Sequence, residues 1–443
     1  MSADHEDTVA LLQSLIRNAC VNDGTPESGQ EIRSVRTLEA FFAGVGIDYR
    51  VIEPAPGRAS LIARIVGSDP DAASVGLLGH LDVVGVEEGW AHDPFGGEIV
   101  DGVVWGRGAV DMLGLTAAMA VVFRAIARGG VRPRGDLVFA AVADEEAGGG
   151  LGVGWIVANE PALLDVDYVI TENGGIPLGV PGEPARAVTV TVGEKARAPR
   201  RLTVRGRPGH GSVPWGSDSA AAPAAELLAR IFATAGEAQI TEHWRGFVAA
   251  ADLDEQLKLR LVDPARVNDA LGELGRLTGY AHAMTHLTVS PNVVRAGTKV
   301  NVIPGVATID LDVRILPGQT AADVDRHLAD LVGDLTDRVS IKGDETGTPT
   351  VSPAGTPFYA ALERAVQKHY PAAELVPLIM PGGTDAAHLR PLGIHAYGFG
   401  LFSPGWDIAT FRTLFHGNDE RIDVESLRLT TAALDDALRD FLL

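Results

Sequence analysis

Three short apolar runs in this chain each stop at a titratable side chain: Val75–Leu78 leads through Gly79 to His80, Leu137–Val142 runs into Asp144-Glu145-Glu146, and Tyr168–Thr171 ends at Glu172. Runs of this kind, closed by glycine or acid, read as buried strands. Before the first of them Val9, Leu12, Ile16 and Val35, Leu38, Phe41, Phe42 recur at helical spacing, and between the first and second Met112–Arg128 is apolar on most faces. Strands that alternate with helices predict an α/β layer with a mostly parallel sheet. In such sheets, groups just beyond the carboxyl ends of the strands gather in one crevice. His80, Glu145, Glu146 and Glu172 are therefore expected to converge although they are scattered in sequence.

Two further motifs complete the pattern. Gly106-Arg107-Gly108-Ala109-Val110-Asp111-Met112 delivers Asp111 just before a helix, and Phe415-His416-Gly417-Asn418-Asp419-Glu420 supplies a second histidine. A zinc-type ion is satisfied by three protein donors and a water, and two ions about 3.5–4 Å apart can share one carboxylate. Three donors twice, one of them shared, makes five residues: His80, Asp111, Glu146, Glu172 and His416. Imidazole mixed with carboxylate suits zinc, cobalt or manganese more than calcium or magnesium. Asp82, two residues after His80, suits the role of orienting that imidazole. Adjacent carboxylates at a strand end diverge, so Glu146 can bind metal while Glu145 stays free to act as a general base.

The 443 residues exceed the usual ceiling for one core, and 46% hydrophobic content supports large buried ones, so two domains are expected. A formal charge of −21 argues against nucleic acid and anionic membrane as partners. The single cysteine, Cys20, excludes an internal disulfide framework and thiolate metal cages. The N-terminal stretch is acidic and lacks a basic, apolar leader pattern, and no apolar run approaches about 20 residues, which gives the expectation of a cytoplasmic protein that does not span a membrane.

Past the glycine- and proline-rich stretch Pro177–Pro184 the texture changes. Strands are expected at Val188–Val192, Arg201–Val204, Lys299–Ile303, Ala307–Ile315 and Val339–Ile341, with helices near 220–232 and 322–332. Residues 194–347 read as an inserted α/β domain between a first catalytic part, 1–193, and a second, 348–443. The second part carries a helix at 358–369, a strand at 396–400, His416 and a last helix from about Val424.

Taken together, GHLDVV, GRGAVDM, ADEEAGG, ITENGG and FHGNDERI resemble the M20 family of zinc peptidases and amidohydrolases, which includes aminoacylase, acetylornithine deacetylase, succinyl-diaminopimelate desuccinylase and glutamate carboxypeptidase. The resemblance implies a two-layer, mostly parallel-sheet catalytic domain interrupted by a smaller ferredoxin-like α+β lid, often a homodimer through that lid. It implies two Zn2+ per subunit, with Co2+ or Mn2+ as substitutes: His80 and Glu172 on one ion, Glu146 and His416 on the other, Asp111 bridging. The implied chemistry is addition of a metal-bridging hydroxide to the amide of a small peptide or N-acyl amino acid, with Glu145 as general base and Asp82 orienting His80. His210, in Pro208-Gly209-His210-Gly211-Ser212, resembles the histidine that steadies the oxyanion, often in the partner subunit's site. Asn301, Arg314 and the Thr384-Asp385 loop resemble substrate-binding positions. Ala387 stands where many relatives carry arginine or lysine. Two alternatives stand beside this reading: an N-carbamoyl or ureido amidohydrolase of the same family, and a catalytically silent binding or assembly protein.

Overall fold

A computed structural model describes residues 4–179, 181–343 and 346–443. Its larger sheet has ten strands, and the main path runs Tyr49–Ala55, Arg58–Ile65, Leu137–Val142, Val75–His80, Tyr168–Thr171, His395–Gly398, Ala187–Glu194, Thr350–Val351. Four neighbouring strands at its centre, from Leu137–Val142 to His395–Gly398, run parallel, while the two outermost strands beyond them on one side pair antiparallel. Every residue of Val75–His80 and Leu137–Val142 is buried.

Alternation along these strands feeds two cores. Leu77, Phe139 and Ala141 join one apolar cluster, while Leu78, Val138, Ala140 and Val142 join another with Val153, Ile156 and Leu389. Helices therefore cover both faces of the sheet, and the unit has three layers rather than the two that the family resemblance implies. The Leu113–Arg128 helix lies on the first face, where Ala117, Ala118 and Ala120 are fully buried. A β-carbon at Gly79 would stand 2.3 Å from Thr116 Oγ1. Glycine there lets the helix start seat directly against the strand end that carries His80.

A second, smaller core forms around an antiparallel sheet of Ala196–Arg197, Arg200–Arg205, Thr288–Ala296, Val306–Ile315 and Val339–Gly343, backed by helices Ala221–Ala233 and Ala321–Val332. The expected strand at Lys299–Ile303 shrinks to Val302–Ile303, since the backbone turns at Lys299 and Val300 is fully exposed. Between the two halves of this lid the chain makes helices Glu242–Ala250, Glu255–Leu261, Val267–Leu271 and Thr278–Thr285. Their Trp244, Phe247, Leu261 and Met284 belong to the large core, not to the lid core. The span 194–347, read from sequence as one inserted domain, thus includes a helical annex of the larger unit.

Candidate metal centre

The parallel strands deliver the acidic and imidazole groups to one end of the sheet. His80 closes its strand, and Glu145 and Glu146 form a short 3-10 turn just after Leu137–Val142. Glu172 follows Tyr168–Thr171, and His416 follows the helix Ile408–Leu414.

The two histidines address the two oxygens of one carboxylate. His80 Nε2 lies 3.3 Å from Asp111 Oδ1, and His416 Nε2 lies 3.3 Å from Asp111 Oδ2 and 3.2 Å from Glu146 Oε2. Donor atoms of His80, Asp111 and Glu146 lie within 4.8 Å of one another, as do those of His80, Glu145 and Glu172. The His80 side chain is 1% exposed and that of His416 is 57% exposed, so the centre has a closed floor and an open rim.

Charge balance in this cluster favours a cation. Burial pushes the carboxyls of Glu145, Glu146 and Glu172 above their ordinary values, and the neighbouring carboxylates push further. Burial opposes charge on His80, yet the Asp111 hydrogen bond and the surrounding acids hold it well above the usual imidazole value. Hydrogen bonds to Asp111 and Glu146 push His416 up to about 10. Divalent ions would neutralise the same crowd of acids in place of protons. The donor set fits a pair of transition ions in number, in kind and in arrangement.

That substitution has a sign. A metal needs bare imidazole nitrogens and ionised carboxylates, so ions entering the site displace the protons held there. Zinc titrated into metal-free protein at pH 7 is expected to release protons, and its affinity to fall as pH falls. Calorimetry in two buffers of different ionisation enthalpy checks this; equal heats in both would contradict it.

The supports around the centre differ in part from expectation. His80 Nδ1 lies 2.9 Å from the main-chain oxygen of Asp82, whereas the nearer oxygen of the Asp82 carboxylate is 3.7 Å away. That carboxylate accepts the N–H groups of Glu145 and Glu146 at 3.2 and 3.1 Å and the amide of Asn22 at 2.8 Å. Asp82 holds the turn carrying the paired glutamates as much as it holds the imidazole. Asp144, in the left-handed region at φ +74°, is pinned by Arg58 at 2.7 Å, Asn22 at 3.1 Å and the N–H of Leu151 at 2.8 Å. Arg58 also grips Glu31, and all three charged side chains are buried. Glu420, fully buried, accepts Arg107 and the N–H groups of Gly108, Val110 and Asp111 at 2.7–3.0 Å, clamping the loop that presents Asp111. Glu31, Asn22 and Arg58 carry no local motif, whereas Arg107 and Glu420 sit inside the quoted motifs without a role legible there.

The remaining expected residues are placed as follows. His210 is exposed on the lid, its Nδ1 2.7 Å from the Ser212 hydroxyl. Asn301 is exposed beside it, and its carbonyl accepts the N–H of Gly211 at 2.9 Å. Arg314 is engaged with Asp312 through two bonds, 2.8 and 3.2 Å. The Thr384 hydroxyl donates to buried Glu194 at 2.7 Å, tying its loop to the sheet. Asp385 is buried, and burial, with charges of Asp82, Asp144 and Glu194 nearby, pushes its carboxyl up to about 8.

Comparison with known proteins points to one family. Residues 76–440 match the sequence profile of peptidase family M20/M25/M40. A succinyl-diaminopimelate desuccinylase of Cereibacter sphaeroides is 31% identical over 234 residues, 51% of this chain and 56% of that one. The chain thus spans about half the length of the curated relatives it matches. An M20 family metallo-carboxypeptidase, Sso-CP2 from Sulfolobus solfataricus, superposes with a TM-score of 0.71 at 16% identity, covering 98% of each chain. Human carnosine dipeptidase 1 superposes at 0.70 with 19% identity, covering 99% of this chain and 96% of that one. These last two establish likeness of fold.

Proposed function

Because the chain belongs to peptidase family M20/M25/M40, we propose that it is a metal-dependent hydrolase that cleaves the amide bond of a small peptide or an N-acyl amino acid. The observation that carries this reading is the pair of imidazoles set on the two oxygens of Asp111, with Glu146 beside one and Glu172 near the other. His80 and Glu172 would hold one ion, Glu146 and His416 the other, and Asp111 both; zinc is the ion proposed, with cobalt or manganese able to replace it. A bound pair of divalent ions supplies Lewis acidity toward the amide carbonyl and makes a nearby water more acidic.

The chain's own groups do the rest. Glu145 has its main-chain N–H fixed by Asp82 and its carboxyl among His80 and Glu172. Raised by burial and by the Glu172 charge, that carboxyl is suited to take a proton from the attacking water and give it to the leaving nitrogen. His210 would steady the developing oxyanion once the lid, this subunit's or that of a homodimeric partner, brings it over the open rim. Arg314 and Asn301 would receive a substrate carboxylate, for which Arg314 must exchange its bonds with Asp312. No helix among the described residues is long and apolar enough to cross a membrane. The pool of small amides in the cytoplasm is the proposed setting.

The test is to incubate zinc- or cobalt-loaded protein with a pooled panel of dipeptides, N-acyl amino acids and N-carbamoyl amino acids and to read products by mass. Cleavage of an amide in the first two groups is the expected result. Ammonia release from the third alone would transfer the reading to a carbamoyl hydrolase, and metal-replete protein inert toward all three would overturn the substrate class.

A further inference from the structure

Next to Glu172 stands a residue that hydrogen-bonds to its carboxylate. Asn173 takes the left-handed conformation at φ +72°, and its Nδ2 donates to Glu172 Oε2 at 2.8 Å. Its carbonyl accepts the Thr191 hydroxyl, which fixes the main chain on the strand side. Its Oδ1 accepts Nη1 of Arg412 at 3.2 Å. A guanidinium donates and never accepts, whereas a carboxamide has one accepting and one donating end. Arg412 therefore determines which end of Asn173 faces it and obliges the NH2 end to face Glu172.

Arg412 is itself held on its other sides. It lies on the helix Ile408–Leu414, four positions before His416, and its guanidinium sits 4.8 Å from the ring centre of Phe415 and 5.0 Å from that of Tyr280 in the helical annex. Cation–ring contacts of this kind orient a guanidinium as well as retaining it. One side chain thus touches the neighbour of Glu172 and the neighbour of His416, the residues assigned above to different ions.

We propose that Arg412 is a positioning residue of the metal centre, acting through Asn173 on Glu172 and through Phe415 on His416, so that one guanidinium keeps ligands of both ions in register. The proposal rests on the metal assignment made under the proposed function. Partners behind metal ligands typically change affinity by about 10–100-fold when removed.

The experiment compares full-length wild type, Arg412→Met, Arg412→Lys, Asn173→Leu and the Arg412→Met/Asn173→Leu double variant. Zinc affinity is read by chelator competition, the ligand field by the visible spectrum of the cobalt-loaded protein, and folding by circular dichroism. Arg412→Met is expected to keep the fold, bind zinc about 10–100-fold more weakly and shift the cobalt spectrum. Arg412→Lys, which keeps a donor, is expected to recover part of the loss, and the double variant to bind less weakly than the product of the two single losses. Wild type holding two zinc ions while Arg412→Met holds them equally well overturns the role of Arg412 alone. Strictly multiplicative losses overturn the relay through Asn173. Wild type that binds neither ion overturns the functional reading on which the proposal stands.

Discussion

Replacing Glu145 by alanine is expected to leave both metal equivalents bound and to lower turnover by about 10²–10⁴-fold, the range a positioned acid–base group contributes. The neighbouring ligand should not move, because Asp82 holds this turn through the main-chain N–H groups of residues 145 and 146, which alanine retains. What the variant loses is the half-buried carboxyl that takes up a proton more readily than an exposed glutamate does. Glu145→Gln separates proton transfer from bulk, and it should be as slow as the alanine variant. Metal content by mass spectrometry and kcat on the substrate found in the panel decide the matter. Unchanged turnover in both variants would remove Glu145 from the mechanism.

The second large effect is expected at Asp111. Each of its oxygens lies 3.3 Å from one of the two histidines, so Asp111→Ala takes a donor from each of the two proposed three-donor sites at once. The variant should lose both ions during dialysis against a mild chelator, whereas His416→Ala should lose one. A stability readout runs in parallel, since a ligand present at about 1,000 times its Kd stabilises the folded state by about 4 kcal/mol. Added zinc should raise the melting temperature of wild type and leave that of Asp111→Ala unmoved. Retention of two ions by Asp111→Ala would refute the shared-carboxylate arrangement.

Most of the residues that cluster here were legible in sequence because they follow a local signal. His80, Glu145, Glu146 and Glu172 stand after apolar strand runs, and Asp111 stands between a glycine-rich loop and the apolar helix Leu113–Arg128. The layout of their supports was not legible, because it depends on which distant groups the fold brings together. Asp82 looks from sequence like a partner for His80, yet its carboxylate is drawn to two N–H groups some sixty residues away. Arg58 and Glu31 are charged residues with no motif, and only a buried meeting with Asp144 gives them a task. The strand Thr288–Ala296 is mostly exposed at the sheet edge and includes Pro291, so its sequence lacks an alternating apolar signal. The annex helices escaped because they are short, five to nine residues each, and their apolar side chains are spread thinly among polar ones.

The annex bears on how this protein can be taken apart. Its four helices lie between two stretches of lid, roughly 196–233 and 287–343, while their apolar side chains pack with the larger unit. The polypeptide therefore passes between the two bodies four times instead of twice. Cutting at two points frees no intact lid: the excised piece would carry Trp244 and Phe247 stripped of their neighbours, and the remainder would keep the vacancy they leave. Removing the lid alone instead requires excising two segments and rejoining the chain on either side of the annex.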